Sequence, residues 1–216
     1  MISKLHYITQ DVEGVTHVEL ARQACKGGVK WVQLRVKNKD FEQWLEIARA
    51  TQIVCKKYGA KLIVNDNVEI AKRIGADGVH LGKSDMAPSQ ARRLLGVNVI
   101  IGGSTNSIED VRRMVTEGAD YIGVGPFRFT STKENLNPVL GSEELKNIVK
   151  STLIEKSQLP MIAIGGIKLE DVQALLNIGV HGVAVSSAIN LAADRILAAE
   201  LFSKELNKEN ILTKTH

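Results

Sequence analysis

The chain has 216 residues, 44% hydrophobic and 24% charged, a balance that excludes extended disorder and allows one generous domain or two small ones. Its 28 Lys and Arg against 24 Asp and Glu leave a net charge of +4, without the basic runs or interleaved aromatics of a nucleic-acid surface. Cys25 and Cys55 lack CxxC spacing and no basic-then-apolar leader opens the sequence, so reduced thiols in a cytoplasmic protein are expected. Residues 172–193 carry no Asp, Glu, Lys or Arg, yet Gln173, Asn177, Gly179 and His181 break the run, so no membrane partner is expected.

Short β-branched runs alternate with helical patterns along the whole chain. Strands are predicted at 5–8, 31–35, 61–64, 77–81, 98–101, 120–124, 161–164 and 182–185. Between and after them, amphipathic segments fall at about 17–26, 40–57, 67–74, 88–95, 107–117, 142–155, 168–178 and 188–206. A Gly-small-polar triplet precedes every second strand: Gly28-Val29-Lys30, Gly75-Ala76-Asp77, Gly118-Ala119-Asp120 and Gly179-Val180-His181. Each reads as a helix-terminating Gly and a short turn into a strand. Strict alternation of eight strands and eight helices predicts a parallel (β/α)8 TIM barrel over residues 1–206, followed by a polar tail at 207–216 that is expected to fray. An open doubly wound sheet is the alternative, and the lack of GxGxxG after the first strand counts against it.

In such a barrel the chemistry lies where strands end. Gln33, Arg35 and Lys37 alternate with Val32, Leu34 and Val36, so the polar set faces the mouth and the apolar set packs against helices. Arg35 then needs a carboxylate partner or an anionic ligand, because an unpaired guanidinium is costly to bury. After the third strand come Asn65 and Asp66. Asp66 suits either an N-cap, with Glu69 three residues on, or a hard-metal ligand. Asp85, beyond His80-Leu81-Gly82, offers a second carboxylate.

Ser104, in Gly102-Gly103-Ser104-Thr105-Asn106, precedes the expected cap Ser107 and is left for a ligand. The irregular stretch 125–141 reads as an active-site loop, with Thr130, Thr132 and Lys133 as a diphosphate clasp. Gly166, Ser186 and Ser187 end the last two strands, where many barrels hold phosphate. His80 reads as a satisfied core histidine, and Trp31 and Trp44 as packing residues.

These segments together resemble the thiamine-phosphate synthase family. VQLRVK (32–37), LIVND (62–66), ADGVHLGKSD (76–85), GGST (102–105), ADYIGVGPF (119–127), TSTK (130–133), AIGGI (163–167) and GVAVSSAI (182–189) are collinear and touch seven of eight strand ends. The resemblance implies a transferase joining a pyrimidine methyl diphosphate to a thiazole phosphate, giving thiamine phosphate and pyrophosphate through a pyrimidine-methyl cation. It implies Mg²⁺ on Asp66 and Asp85. Gln33, Arg35, Lys37, Asn65, Ser104 and Lys133 would hold the diphosphate and pyrimidine, and Thr130, Thr132, Gly166, Ser186 and Ser187 the thiazole phosphate.

The sequence departs from the family at Lys83, where Gln is usual, at Asn106, where His is common, and at Phe127-Arg128-Phe129 in place of Ile-Phe-Pro. An added cation near the diphosphate is electrostatically compatible with the reaction. Alternative readings are a thiazole tautomerase-like barrel and a non-enzymatic phosphate-ligand sensor. Small-molecule substrates are the expected partners, and oligomeric state has no signature in the sequence.

Overall fold

A computed structural model describes residues 1–130, 138–154 and 159–208. Eight strands run β1 Leu5–Ile8, β2 Trp31–Leu34, β3 Lys61–Asn65, β4 Gly78–Leu81, β5 Ile100–Thr105, β6 Tyr121–Val124, β7 Met161–Ile164 and β8 Gly182–Val185. The helices are α1 His17–Lys26, α2 Phe41–Tyr58, α3 Val68–Ile74, α4 Pro88–Leu95, α5 Ile108–Thr116, α6 Gly141–Ile154, α7 Val172–Ile178, α8 Ser187–Asn190 and α9 Arg195–Leu206. All strands pair in parallel and in sequence order, and β1 closes on β8 with Leu5 opposite Val183 and Tyr7 opposite Val185. The expected (β/α)8 barrel is therefore the fold, and the open sheet is excluded.

Alternation along the strands builds two cores. Val32, Leu34, Leu62, Val64, Val79 and Leu81 point outward and pack against the helices. Ile8, Trp31, Ile63, Tyr121, Ile162 and Ala184 fill the barrel interior. Trp31 is fully buried there, stacked on His6 at 4.2 Å and edge-on to Tyr121 at 5.4 Å. This aromatic layer closes the barrel beneath its mouth. Gln33 lies one strand step above Trp31 on the same face, so the layer supports the predicted site from below.

Element boundaries follow local chemistry. Thr16, Asp40, Asn67, Ser107 and Asp194 each accept a first-turn N–H at the start of α1, α2, α3, α5 and α9. The glycines of the repeated triplet, 28, 75, 118 and 179, all take positive φ, the left-handed turn that glycine adopts without a Cβ penalty.

Three expectations need correction. Asp66 does not cap α3, because Asn67 accepts the Ile70 N–H and leaves Asp66 outside the helix. Strand β5 runs on through Gly102–Thr105, where the sequence suggests a loop. The segments predicted as single helices at 168–178 and 188–206 are each divided. A 3₁₀ turn at Leu169–Asp171 precedes α7, and α8 stops after one turn before Asp194 starts α9. Among the described residues no helix is long and apolar enough to cross a membrane.

Candidate active site

The strand ends converge on a cleft of about 990 Å³, its open mouth included. Gln33, Arg35, Asn65, Asp66, Ser104, Thr130, Gly166, Ser186 and Ser187 all line it. Lys37 and Asp85 stand at its rim beside Asp66. Thr132 and Lys133 lie outside the described residues, as does the tail beyond 208.

The β2 extension is held by a buried polar chain that the sequence reading missed. Thr9, fully buried, accepts the Arg35 backbone N–H at 3.0 Å, and its hydroxyl meets His17 Nδ1 at 3.0 Å. His17 Nε2 in turn reaches Asp11 at 3.2 Å. Burial lowers the His17 pKa, and the Asp11 carboxylate works against that shift. With its backbone fixed, Arg35 extends a guanidinium into the cleft that has no carboxylate partner among the described residues. Of the two alternatives open for Arg35, the internal ion pair is not found among the described residues.

Lys37 Nζ donates to Asp66 Oδ2 at 3.2 Å. Asp66 itself adopts φ 64°, a left-handed conformation uncommon outside glycine. It is pinned there because its N–H donates to the His80 carbonyl at 2.8 Å. Asp85 folds back so that Oδ2 accepts the Gly82 N–H at 2.6 Å, bringing its carboxyl against Asp66. Partial burial raises the Asp85 pKa against the pull of the Gly82 N–H, and the adjoining Asp66 carboxylate raises it further. Two carboxylates in contact favour a shared cation. Among the described residues no third His, Cys, Asp or Glu joins them.

Deeper in the cleft, His80 Nδ1 meets the Tyr121 hydroxyl at 3.0 Å and Nε2 meets Ser104 Oγ at 3.0 Å. His80 is buried and hydrogen-bonded, as the sequence reading expected, yet it also lines the cleft and anchors a candidate ligand group. Glycines make room for this arrangement: a Cβ on Gly102 would come within 2.2 Å of the Tyr121 ring, and one on Gly123 within 3.3 Å of His80.

The departures at Lys83, Asn106 and Arg128 have structural partners. Lys83 is ion-paired with Asp110 at the start of α5. Asn106 Nδ2 donates to the carbonyls of Gly125 at 2.9 Å and Pro138 at 3.1 Å, tying together both ends of the β6–α6 loop. Arg128 grips Asp171 with two bonds of 2.8 and 2.9 Å and donates to the Gly166 carbonyl at 2.7 Å. Like Lys83, it is paired with a carboxylate.

At the far side, Gly165 and Gly166 take φ 101° and 63°, and Ser186 Oγ donates to Gln10 Oε1 at 2.8 Å. The fully buried Asn190 donates to Ser186 Oγ at 3.1 Å and to the Ile8 carbonyl at 2.8 Å, and accepts from the Tyr7 hydroxyl. This set fixes the β8 end against β1.

A family model described as thiamine monophosphate synthase matches residues 5–189. The chain belongs to that family. A thiamine-phosphate synthase of Bacteroides fragilis is 46% identical over 192 residues, covering 89% of this chain and 94% of the relative. One from Bacteroides thetaiotaomicron is 46% identical over 208 residues, covering 96% and 98%. The solved thiamine phosphate pyrophosphorylase of Pyrococcus furiosus superposes with a TM-score of 0.82 at 35% identity, covering 94% of this chain and 95% of its own. A 3-hexulose-6-phosphate synthase structure, 19% identical with a TM-score of 0.64, shares the fold alone.

The chain is thus a transferase of thiamine biosynthesis on a TIM barrel. The family match ends at 189, so α9 and the tail lie beyond it. Residues that the sequence reading missed behind the cleft, Thr9 and Tyr121 above all, look like ordinary strand and loop residues in a linear text. Strand parity carried the available signal: Tyr121 shares its face with Gly123, as Trp31 does with Gln33.

Proposed function

We propose that this chain carries out its family's condensation by letting diphosphate depart at the β2–β4 edge of the cleft while the pyrimidine rests on the barrel floor. In the reaction a pyrimidine methyl diphosphate loses pyrophosphate, and the resulting pyrimidine-methyl cation is captured by the thiazole nitrogen to give thiamine phosphate. The observation that carries this reading is Arg35, without a carboxylate partner among the described residues, beside Lys37 and the adjoining Asp66–Asp85 pair. Fixed cations aimed at developing negative charge lower the barrier without reorganising at the moment of reaction.

The adjoining carboxylates suit Mg²⁺, which takes one or two protein carboxylates and completes its shell with water and phosphate oxygens. Asp66 and Asp85 would hold it, and when bound it would neutralise charge on the leaving diphosphate. Arg35, Lys37 and Asn65 would orient the diphosphate, with Lys133 joining from the loop. Gln33 and Ser104 would hold the pyrimidine ring.

On the opposite side, Thr130, Gly166, Ser186 and Ser187, with Thr132, would take the thiazole phosphate. Ser186 would then redirect its hydroxyl from Gln10 to the phosphate. We assign the reaction to the cytoplasm, where the buried Cys25 and Cys55 would stay reduced.

The test combines the pyrimidine diphosphate and the thiazole phosphate and follows pyrophosphate. Release should need both substrates and Mg²⁺, and Asp66→Ala or Asp85→Ala should cut it by at least about 100-fold, as for loss of a main electrostatic stabiliser. Turnover untouched by a chelator would overturn the metal assignment. Isomerisation of the thiazole phosphate without coupling would turn the reading to a tautomerase.

A further inference from the structure

The turn that follows β7 is held from one side at three successive carbonyls. The Ile164 carbonyl accepts the Phe127 N–H at 2.8 Å, and the Gly165 carbonyl accepts the Arg128 N–H at 3.0 Å. The Gly166 carbonyl, next in line, accepts from Arg128 Nη1 at 2.7 Å. Backbone supplies two rungs of this ladder and a side chain supplies the third. Gly165 and Gly166 take φ 101° and 63°, a path open to glycine that lets neighbouring carbonyls face the same segment.

In a planar trans peptide the C=O and the N–H of one unit point in opposite directions. The N–H groups of Gly166 and Ile167 therefore face away from Arg128. Both residues line the cleft, and neither N–H has a protein acceptor among the described residues. Arg128 is not one of the residues lining the cleft. Its guanidinium meets the Asp171 carboxylate at 2.8 and 2.9 Å, and that carboxylate also accepts the Lys168 N–H at 2.8 Å, so the far end of the turn is tied as well.

We propose that Arg128 is a positioning residue for the phosphate of the thiazole substrate, holding the Gly166 carbonyl outward so that the Gly166 and Ile167 N–H groups stay directed into the cleft. A phosphate monoester takes several N–H donors at once, and consecutive backbone N–H groups in a turn form a concavity for it. Without the Arg128 side chain, the Gly166–Ile167 peptide is free to swing its oxygen inward, because Gly166 has no Cβ to restrict the rotation. An oxygen would then face the phosphate where a donor stood. The charge of Arg128 is already met by Asp171, so its influence passes through the peptide that it holds. This role rests on the reaction assigned to the cleft above and extends it to a residue at which the sequence departs from its family.

The experiment compares kcat/KM for the thiazole phosphate and for its dephosphorylated alcohol, in the wild type and in Arg128→Met, which keeps a long side chain and removes the donors. The wild type should favour the phosphate by at least about 100-fold, as a site built on polar partners does. In Arg128→Met that ratio should fall by about tenfold, the loss expected for one hydrogen bond to a charged group. The fall should lie in KM for the thiazole phosphate, while KM for the pyrimidine diphosphate holds. Arg128→Lys, which retains a donor for the Gly166 carbonyl, should recover part of the ratio.

Calorimetry makes the same comparison without turnover. The thiazole phosphate should bind Arg128→Met about tenfold more weakly than the wild type, and Mg²⁺ pyrophosphate should bind both alike. An unchanged phosphate preference, or an equal loss for the phosphate and the alcohol, overturns the proposal. A wild type that does not distinguish phosphate from alcohol would overturn the phosphate seat assigned to the ends of β7 and β8, and the role of Arg128 with it.

Discussion

Arg128 shows how a residue that reads as a ligand group in the sequence can be a structural clasp. Its guanidinium meets Asp171 face to face and also holds the Gly166 carbonyl, so three bonds bind the start of the β6–α6 loop to the turn after β7. The Arg128 hydrogen bond is the largest influence on Asp171 and holds its carboxyl below the usual carboxylate range. A carboxylate depressed by folding stabilises the native state above its unfolded pKa of about 3.9 and loses that contribution as pH falls through the folded value. Arg128→Ala should therefore melt lower than the wild type at pH 7, by an amount worth about 0.5–1 kcal/mol for a pair this exposed. The gap should narrow as pH falls below the usual carboxylate range and through the depressed folded value, where Asp171 becomes protonated in the wild type as well. Melting curves of both proteins across that range check it. Asn106 has the same lesson: it carries no charge and no motif, yet it ties Gly125 to Pro138 at the two ends of that loop. Nothing local in the sequence reveals either partnership, because the partners lie 19 to 43 positions away.

At the scale of elements, the hydrophobic rhythm made all eight strands legible, and the failures share a cause. Strand β5 continues through two glycines that β propensity disfavours, because its register against β6 sets Gly102 opposite Tyr121 and Gly103 opposite Ile122. Each glycine leaves room for a neighbour: the Cβ of an alanine at 102 would come within 2.2 Å of the Tyr121 ring, and at 103 within 2.2 Å of Met114 Sδ. The neighbours differ in what they can yield. Tyr121 is a rigid ring locked in the floor between Trp31 and His80, whereas Met114 is a flexible thioether on the helix side. Gly102→Ala should cost about 1–3 kcal/mol, as overpacking a rigid core does, and Gly103→Ala clearly less. Denaturant midpoints of the two variants test the order, and equal losses would contradict it. The division between α8 and α9 escaped sequence reading for a similar reason. Asp194 starts a new helix by accepting the Leu197 N–H, while Ala188, Ile189, Leu191, Ala192 and Ala193 before it carry no Gly or Pro to mark a break.

For the molecule as a whole, a net charge of +4 over 216 residues would give no strong general attraction to anions. The barrel makes the charge effective by position, setting Arg35 and Lys37 together on the β2 extension at one cleft, Lys37 against Asp66, while Lys83 and Arg128 pair with carboxylates elsewhere. Arg35 can then be separated from the stability of the fold, since it has no ion pair among the described residues to lose. Pyrophosphate with Mg²⁺ should bind the native barrel and not the unfolded chain, raising stability by about 2.7 kcal/mol at a hundred times Kd. For a chain of this size that is a rise in Tm of about 5–10 °C. Arg35→Ala should leave the unliganded Tm within about 2 °C of the wild type, as a variant that breaks no native pair does, and should abolish most of the pyrophosphate shift. Thermal melts with and without pyrophosphate, in both proteins, separate the two effects. A drop of many degrees in the unliganded variant would mean that Arg35 is part of the scaffold. A full pyrophosphate shift in a stable variant would place the diphosphate away from β2, and the account of how this barrel sets Arg35 over the cleft would fail with it.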